Sequence, residues 1–176
     1  MQSETAGMKP QYTVSARIEK PLAEVFDAVV DPKKLSAYFT TAGPAPGPLV
    51  AGTRVLWWGK VAVDVVEVVE NARLVLEWAG RRRGGDTPIR IEMEFEDLGD
   101  GATLVSISES GYGPGGEVLP ATYSTCEGWT QMLCSLKAWL EHGINLRQGY
   151  YLGEVSGELT IENNATYRAR TRTERG

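Results

Sequence analysis

Over residues 89–96 every second residue is large and apolar. Ile89, Ile91, Met93 and Phe95 hold one parity, and Arg90, Glu92, Glu94 and Glu96 hold the other. Successive side chains of an extended chain point to opposite faces, so this stretch reads as a strand with one face buried and one in water. Such a strand needs antiparallel partners and a cover for its apolar face. The rest of the chain supplies both. Residues 12–19 alternate in the same way, with Tyr12, Val14, Ala16 and Ile18 inward. Residues 54–58 read as a strand ending at a Gly59-Lys60 turn, and Leu74, Leu76 and Trp78 share a face after a turn at Asn71-Ala72. Residues 102–109 form the last strand. Residues 61–70 are rich in valine, but Asp64 and Glu67 fall on opposite parities, which predicts a bulge or a strand covered on both faces.

Three segments carry helical spacing instead. Pro21 opens the first, with Leu22, Val25, Phe26 and Val29 inward. Asp31 is placed to cap the second, which has Pro32 in its first turn and Leu35, Tyr38 and Phe39 inward. The third covers about residues 122–142. Trp129, Met132, Leu133, Leu136, Trp139 and Leu140 give it an apolar stripe too broad for a helix lying half in solvent, and Gly143 ends it. The order is strand, two short helices, a meander of antiparallel strands, then one long helix. That order is α+β, with six or seven curved strands wrapped around the closing helix.

The chain has 176 residues, a length suited to one domain with a hydrophobic core. Residues 1–10 read as a flexible leader, 11–143 as the domain, and 144–176 as an extension, disordered or docking. The net charge of −5 offers no basic field for nucleic acid, and no apolar run reaches the roughly 20 residues that span a bilayer. The first ten residues lack a signal-peptide core, so a cytoplasmic location is expected. Cys126 and Cys134 on one helix stand roughly 12 Å apart in rise, too far to bridge. The single histidine, His142, sits at a helix C-terminus, where the macrodipole accounts for it.

These pieces together resemble a known family. Pro21-Leu-Ala-Glu-Val-Phe-Asp-Ala-Val is similar to the opening "P-x-x-V-[WF]-x-A-[LV]" of proteins like the C-terminal domain of the Hsp90 ATPase activator. Asp31-Pro32 with Leu35, Tyr38 and Phe39 is similar to "[DP]-P-x-x-L-x-x-W-F", with Tyr38 in place of tryptophan. Glu67, Arg73, Leu74 and Trp78 match "V-x-E-V-x-P-x-x-R-L-V-[FY]-x-W", with Asn71 in place of proline. Ser110-Gly-Tyr112 and Gly128-Trp129, followed by Leu133, Leu136 and Leu140, resemble the family's closing motifs. The resemblance runs over about residues 11–143 and places the chain among START-like, helix-grip (SRPBCC) folds.

The resemblance implies an internal cavity, between sheet and closing helix, that takes a small apolar or amphipathic molecule. It implies no common reaction. No cofactor or metal is expected, since a single histidine rules out most zinc sites. Candidate lining residues are Trp129, Met132, Leu133 and Leu136 on the helix, Trp58, Trp78 and Met93 on the sheet, and Tyr38, Phe39 and Tyr112. Trp57 and Trp139 complete the aromatic set. Core packing competes with cavity lining for each of these rings. Glu67 is the candidate orienting group, set against a plain ion pair with Arg73. No residue is assigned a catalytic role. An alternative reading is a cyclase/aromatase-like or dehydratase-like enzyme using a cavity carboxylate or tyrosine. A further one is a chaperone-interaction module, for which contact with the chaperone is not expected. A homodimer is left open. Arg81-Arg82-Arg83 reads as a solvated hairpin tip, and residues 111–116 as a mobile lid.

Overall fold

A computed structural model describes residues 9–41, 45–78, 88–113 and 118–150. The Arg81–Arg83 tip, the leader up to residue 8, residues 114–116 of the glycine-rich lid and the extension beyond residue 150 lie outside the described residues. Six strands form one antiparallel sheet: β1 (Tyr12–Ile18), β2 (Arg54–Trp57), β3 (Val61–Val69), β4 (Arg73–Trp78), β5 (Ile89–Asp97) and β6 (Thr103–Ser110). Their spatial order is β1-β6-β5-β4-β3-β2. Each strand from β2 to β6 therefore lies beside its neighbour in sequence, and only β1 joins from afar. Helices α1 (Leu22–Val30) and α2 (Pro32–Tyr38) follow β1, and α3 (Leu119–His142) closes the domain. This is the helix-grip arrangement, with the sheet curved around α3.

The alternation sets which side is covered. Ile89, Ile91, Met93 and Phe95 are buried, while Arg90 and Glu92 line the outer face. There Arg73 meets Glu92 at 2.8 Å, and Arg90 meets Glu92 at 2.7 Å and Glu77 at 3.2 Å. The register shifts between Val65 and Glu67, so β3 does carry a bulge. Beyond it Glu67 pairs with Val75, whose neighbours Leu74 and Leu76 point inward. Glu67 is thus on the outer face.

The helices cover the inner face. Phe26 of α1 meets Phe95 edge-on at 5.2 Å. The Asp31 carboxylate accepts the backbone N–H groups of Lys33 and Lys34, both at 2.9 Å, as expected of a cap. The start of α3 lies earlier than residue 122. Pro120 fits the first helical turn, where its missing N–H costs nothing, so the helix begins at Leu119. Its far end is bound to β1: Lys137 Nζ donates to the Arg17 carbonyl at 2.8 Å, and the Glu19 N–H donates to Glu141 at 2.7 Å.

Two glycines make opposite predictions. Gly128 lies inside α3, and a Cβ there would meet nothing within 4 Å. Gly128→Ala should raise unfolding stability by about 1 kcal/mol through helix propensity. At Gly111, φ is +97° and an added Cβ would sit 2.7 Å from the Pro88 carbonyl oxygen. Gly111→Ala should cost on the order of 1–3 kcal/mol. Urea denaturation of both variants checks the pair.

Candidate functional site

The inward parity of β6 runs Thr103, Val105, Ile107, Glu109, and all four are buried. Glu109 is fully buried, opposite Tyr12 on β1 and Ile91 on β5. The Tyr12 hydroxyl donates to its Oε2 at 2.9 Å. The Trp129 indole N–H donates to the same oxygen, and the Tyr112 hydroxyl donates to Oε1. Tyr112 is also hydrogen-bonded to the Thr125 hydroxyl on α3. No Lys or Arg among the described residues pairs with Glu109. Burying a carboxylate without a cation costs several kcal/mol, and three donors on two oxygens offset that with roughly 1.5–3 kcal/mol each. Burial pushes the Tyr12 and Tyr112 phenols well above their usual value, and the neighbouring Glu109 pushes the same way.

Trp129 joins this carboxylate to an aromatic cluster. Its ring stacks on Trp78 of β4 at 5.5 Å and 20°, and on Phe39 after α2 at 5.9 Å and 27°. Trp57, at the end of β2, stands edge-on to that stack, at 89° to Trp78 and 86° to Phe39. Trp58 packs against Phe39 at 5.0 Å. Trp57 and Trp129 are buried, whereas Trp58 and Trp78 are half-buried. Trp58 has φ +52° in the Trp57–Lys60 turn, where the Lys60 N–H donates to the Trp57 carbonyl at 3.1 Å. That left-handed backbone costs a bulky residue about 1–2 kcal/mol, and turns of this kind usually hold Asn or Gly there. Among the described residues, the buried indole nitrogens of Trp57 and Trp58 find no hydrogen-bond partner.

Of the residues expected to line a site, Tyr38, Phe39, Met93, Trp129, Met132, Leu133 and Leu136 lie in one buried cluster, with Trp58 and Trp78 packed against it. Within it these side chains pack on one another. Tyr38 belongs to the α2–α3 seam: its hydroxyl donates to the Ala28 carbonyl at 3.2 Å and its ring stacks on Trp139 at 5.4 Å. Tyr112 is buried beside Glu109. Glu67 is elsewhere. On the outer face its side chain is 40% exposed and lies 3.7 Å from Arg73, so the bulge removes it from the role of orienting group. Asp64 is held by Arg54 at 2.6 Å, also outside the core.

Sequence reasoning missed Glu109, whose signal was its parity with Val105 and Ile107. It also missed Arg147, which is buried with its guanidinium 5.0 Å from the Phe39 ring and 4.8 Å from the Tyr150 ring.

The raised phenols predict a pH dependence. Tyr12, Tyr38 and Tyr112 hold their protons in the folded chain at pH values where the unfolded chain, near 10.0, releases them. The folded state then binds more protons, so stability is present below pH about 10 and is lost as pH rises beyond it. Denaturation at pH 9 and pH 11 should show that loss, and Tyr112→Phe should make it smaller.

Comparison with known proteins adds to this geometry. The protein SSP2350 from Staphylococcus saprophyticus superposes with a TM-score of 0.63 at 24% identity, covering 78% of this chain and 96% of that one. PFC0360w, an HSP90 activator from Plasmodium falciparum, gives 0.61 at 17%, covering 74% and 95%. The Aha1 dimer from Colwellia psychrerythraea gives 0.61 at 19%, covering 76% and 98%. These likenesses show a shared fold. A search of curated protein sequences finds no match. The family model "Activator of Hsp90 ATPase homolog 1-like protein" matches residues 19–141, most of the chain, and with the strand order and closing helix described above the chain belongs to that family.

Proposed function

We propose that this chain binds a small apolar or amphipathic molecule between sheet and α3. Trp129, Trp78 and Phe39 provide stacking surface, and the Tyr112–Glu109 pair provides the polar contact. The observation that carries this reading is a buried carboxylate, held by three donors and paired with no cation among the described residues, inside an aromatic cluster. A core needing only stability gains from an apolar residue at position 109. Ligand sites, by contrast, combine apolar and aromatic walls with a few placed polar groups. The half-buried Trp58 and Trp78 bring the same cluster to the surface. Ligand affinity comes mainly from apolar area, at about 25 cal/mol per Å² before ordering costs.

The Tyr112–Glu109 hydrogen bond favours a second reading, an enzyme in which a phenol and a carboxylate move a proton on the bound molecule. It needs the same binding step.

Native mass spectrometry of the full chain purified from its own cells is the test. The expected spectrum shows a co-purified small molecule, and it also reads whether the chain forms a homodimer. The folded Trp129→Ala variant should lose the adduct. Saturating ligand should raise unfolding stability, by about 2.7 kcal/mol at one hundred times Kd. A chain that carries no adduct and gains no stability from apolar probes overturns the proposal. A folded Trp129→Ala variant with unchanged affinity removes Trp129 from the site.

A further inference from the structure

The geometry points to a donor subsite at the β2–β3 turn that takes a flat, neutral, largely apolar molecule through a carbonyl-type acceptor on its edge. This rests on the binding role proposed above and names the chemistry of the ligand. Two indole N–H groups, those of Trp57 and Trp58, are buried and have no acceptor among the described residues. Adjacent in sequence, their rings stand 5.9 Å apart and both pack on Phe39, at 5.5 and 5.0 Å. The Thr41 hydroxyl, two residues beyond Phe39, is a third buried group without a partner. Buried donors are almost always satisfied, so two adjacent exceptions call for a reason. Trp57 is 1% exposed, so the bulk solvent does not supply its acceptor.

The turn backbone makes the same point independently. Trp58 is held at φ +52° in a turn where Asn or Gly is at ease, and this left-handed conformation keeps its large ring against Phe39. Broken local rules concentrate at functional or strained positions. The perpendicular setting of Trp57 against the Phe39–Trp129–Trp78 stack favours a flat partner. A neutral acceptor fits better than an anion. The Trp129 indole holds the Glu109 carboxylate against this cluster, and a second negative charge beside it would be repelled.

The test uses the full chain, labelled with ¹⁵N, and two probes of nearly the same shape, fluorene and 9-fluorenone. Only the second has a carbonyl. The chain has five tryptophans, so its indole N–H resonances are few and can be assigned by single Trp→Phe changes. The ketone should bind about tenfold more tightly than the hydrocarbon and move the Trp57 and Trp58 indole protons downfield. Fluorene should bind without that downfield shift. Trp58→Phe, at a half-buried position, should lower the ratio of ketone to fluorene affinity. The Trp57→Phe/Trp58→Phe double variant should abolish the preference. If a variant fails to fold, the wild-type spectra decide. Equal affinities with unmoved indole protons overturn the donor subsite and leave the binding role standing. If neither probe binds, the binding role falls and this inference with it.

Discussion

Much of the interior is organised by one side chain. Trp129 reaches from α3 to the stack of Phe39 and Trp78, and its N–H is one of the three donors that make a buried Glu109 tolerable. Burying about 200 Å² of indole is worth about 5 kcal/mol at the usual area coefficient. Its larger effect is to couple elements far apart in sequence. Removing the ring would leave Glu109 short of a donor and both stacking partners without their middle member. Such losses do not add independently.

The two faces of the sheet solve different problems. Inside, apolar parity and aromatic packing set the register. Outside, Arg73 and Arg90 are interleaved with Glu67, Glu77 and Glu92, so that opposite charges sit across neighbouring strands. Glu92 accepts from both arginines, and these hydrogen bonds, with Arg90's the strongest, hold its carboxyl below the usual carboxylate range. Near the β1–β6 end the outer face changes to hydroxyl pairs, Thr13 with Ser108 and Ser15 with Ser106.

Most of the architecture was legible in the sequence because strand and helix periods are simple. The alternation at residues 89–96, the cap at Asp31 and the stop at Gly143 each follow from a local rule, and the structure agrees with them. What escaped depended on phase or on contacts distant in sequence. Glu109 sits in phase with Val105 and Ile107, but at the end of a strand that alternates with serines a polar residue looks like a boundary. Glu67 was misplaced because the bulge reverses parity by one residue, and no propensity shows which way a bulged side chain turns. The early start of α3 was hidden by Pro120, which reads as a breaker until its place in the first turn is known. Arg147 follows the closing helix, and its packing against Phe39 joins residues 108 positions apart.

The two ends of α3 are gripped by different forces. Near its C-terminus, Lys137 and Glu141 tie it to the β1 backbone through charged hydrogen bonds, and the domain is anchored there. Toward its N-terminus it is held by ring faces and by the Tyr112–Thr125 contact. The Lys137 side chain is 42% exposed while Trp129 is buried, so dissolved salt screens the first attachment and leaves the second untouched.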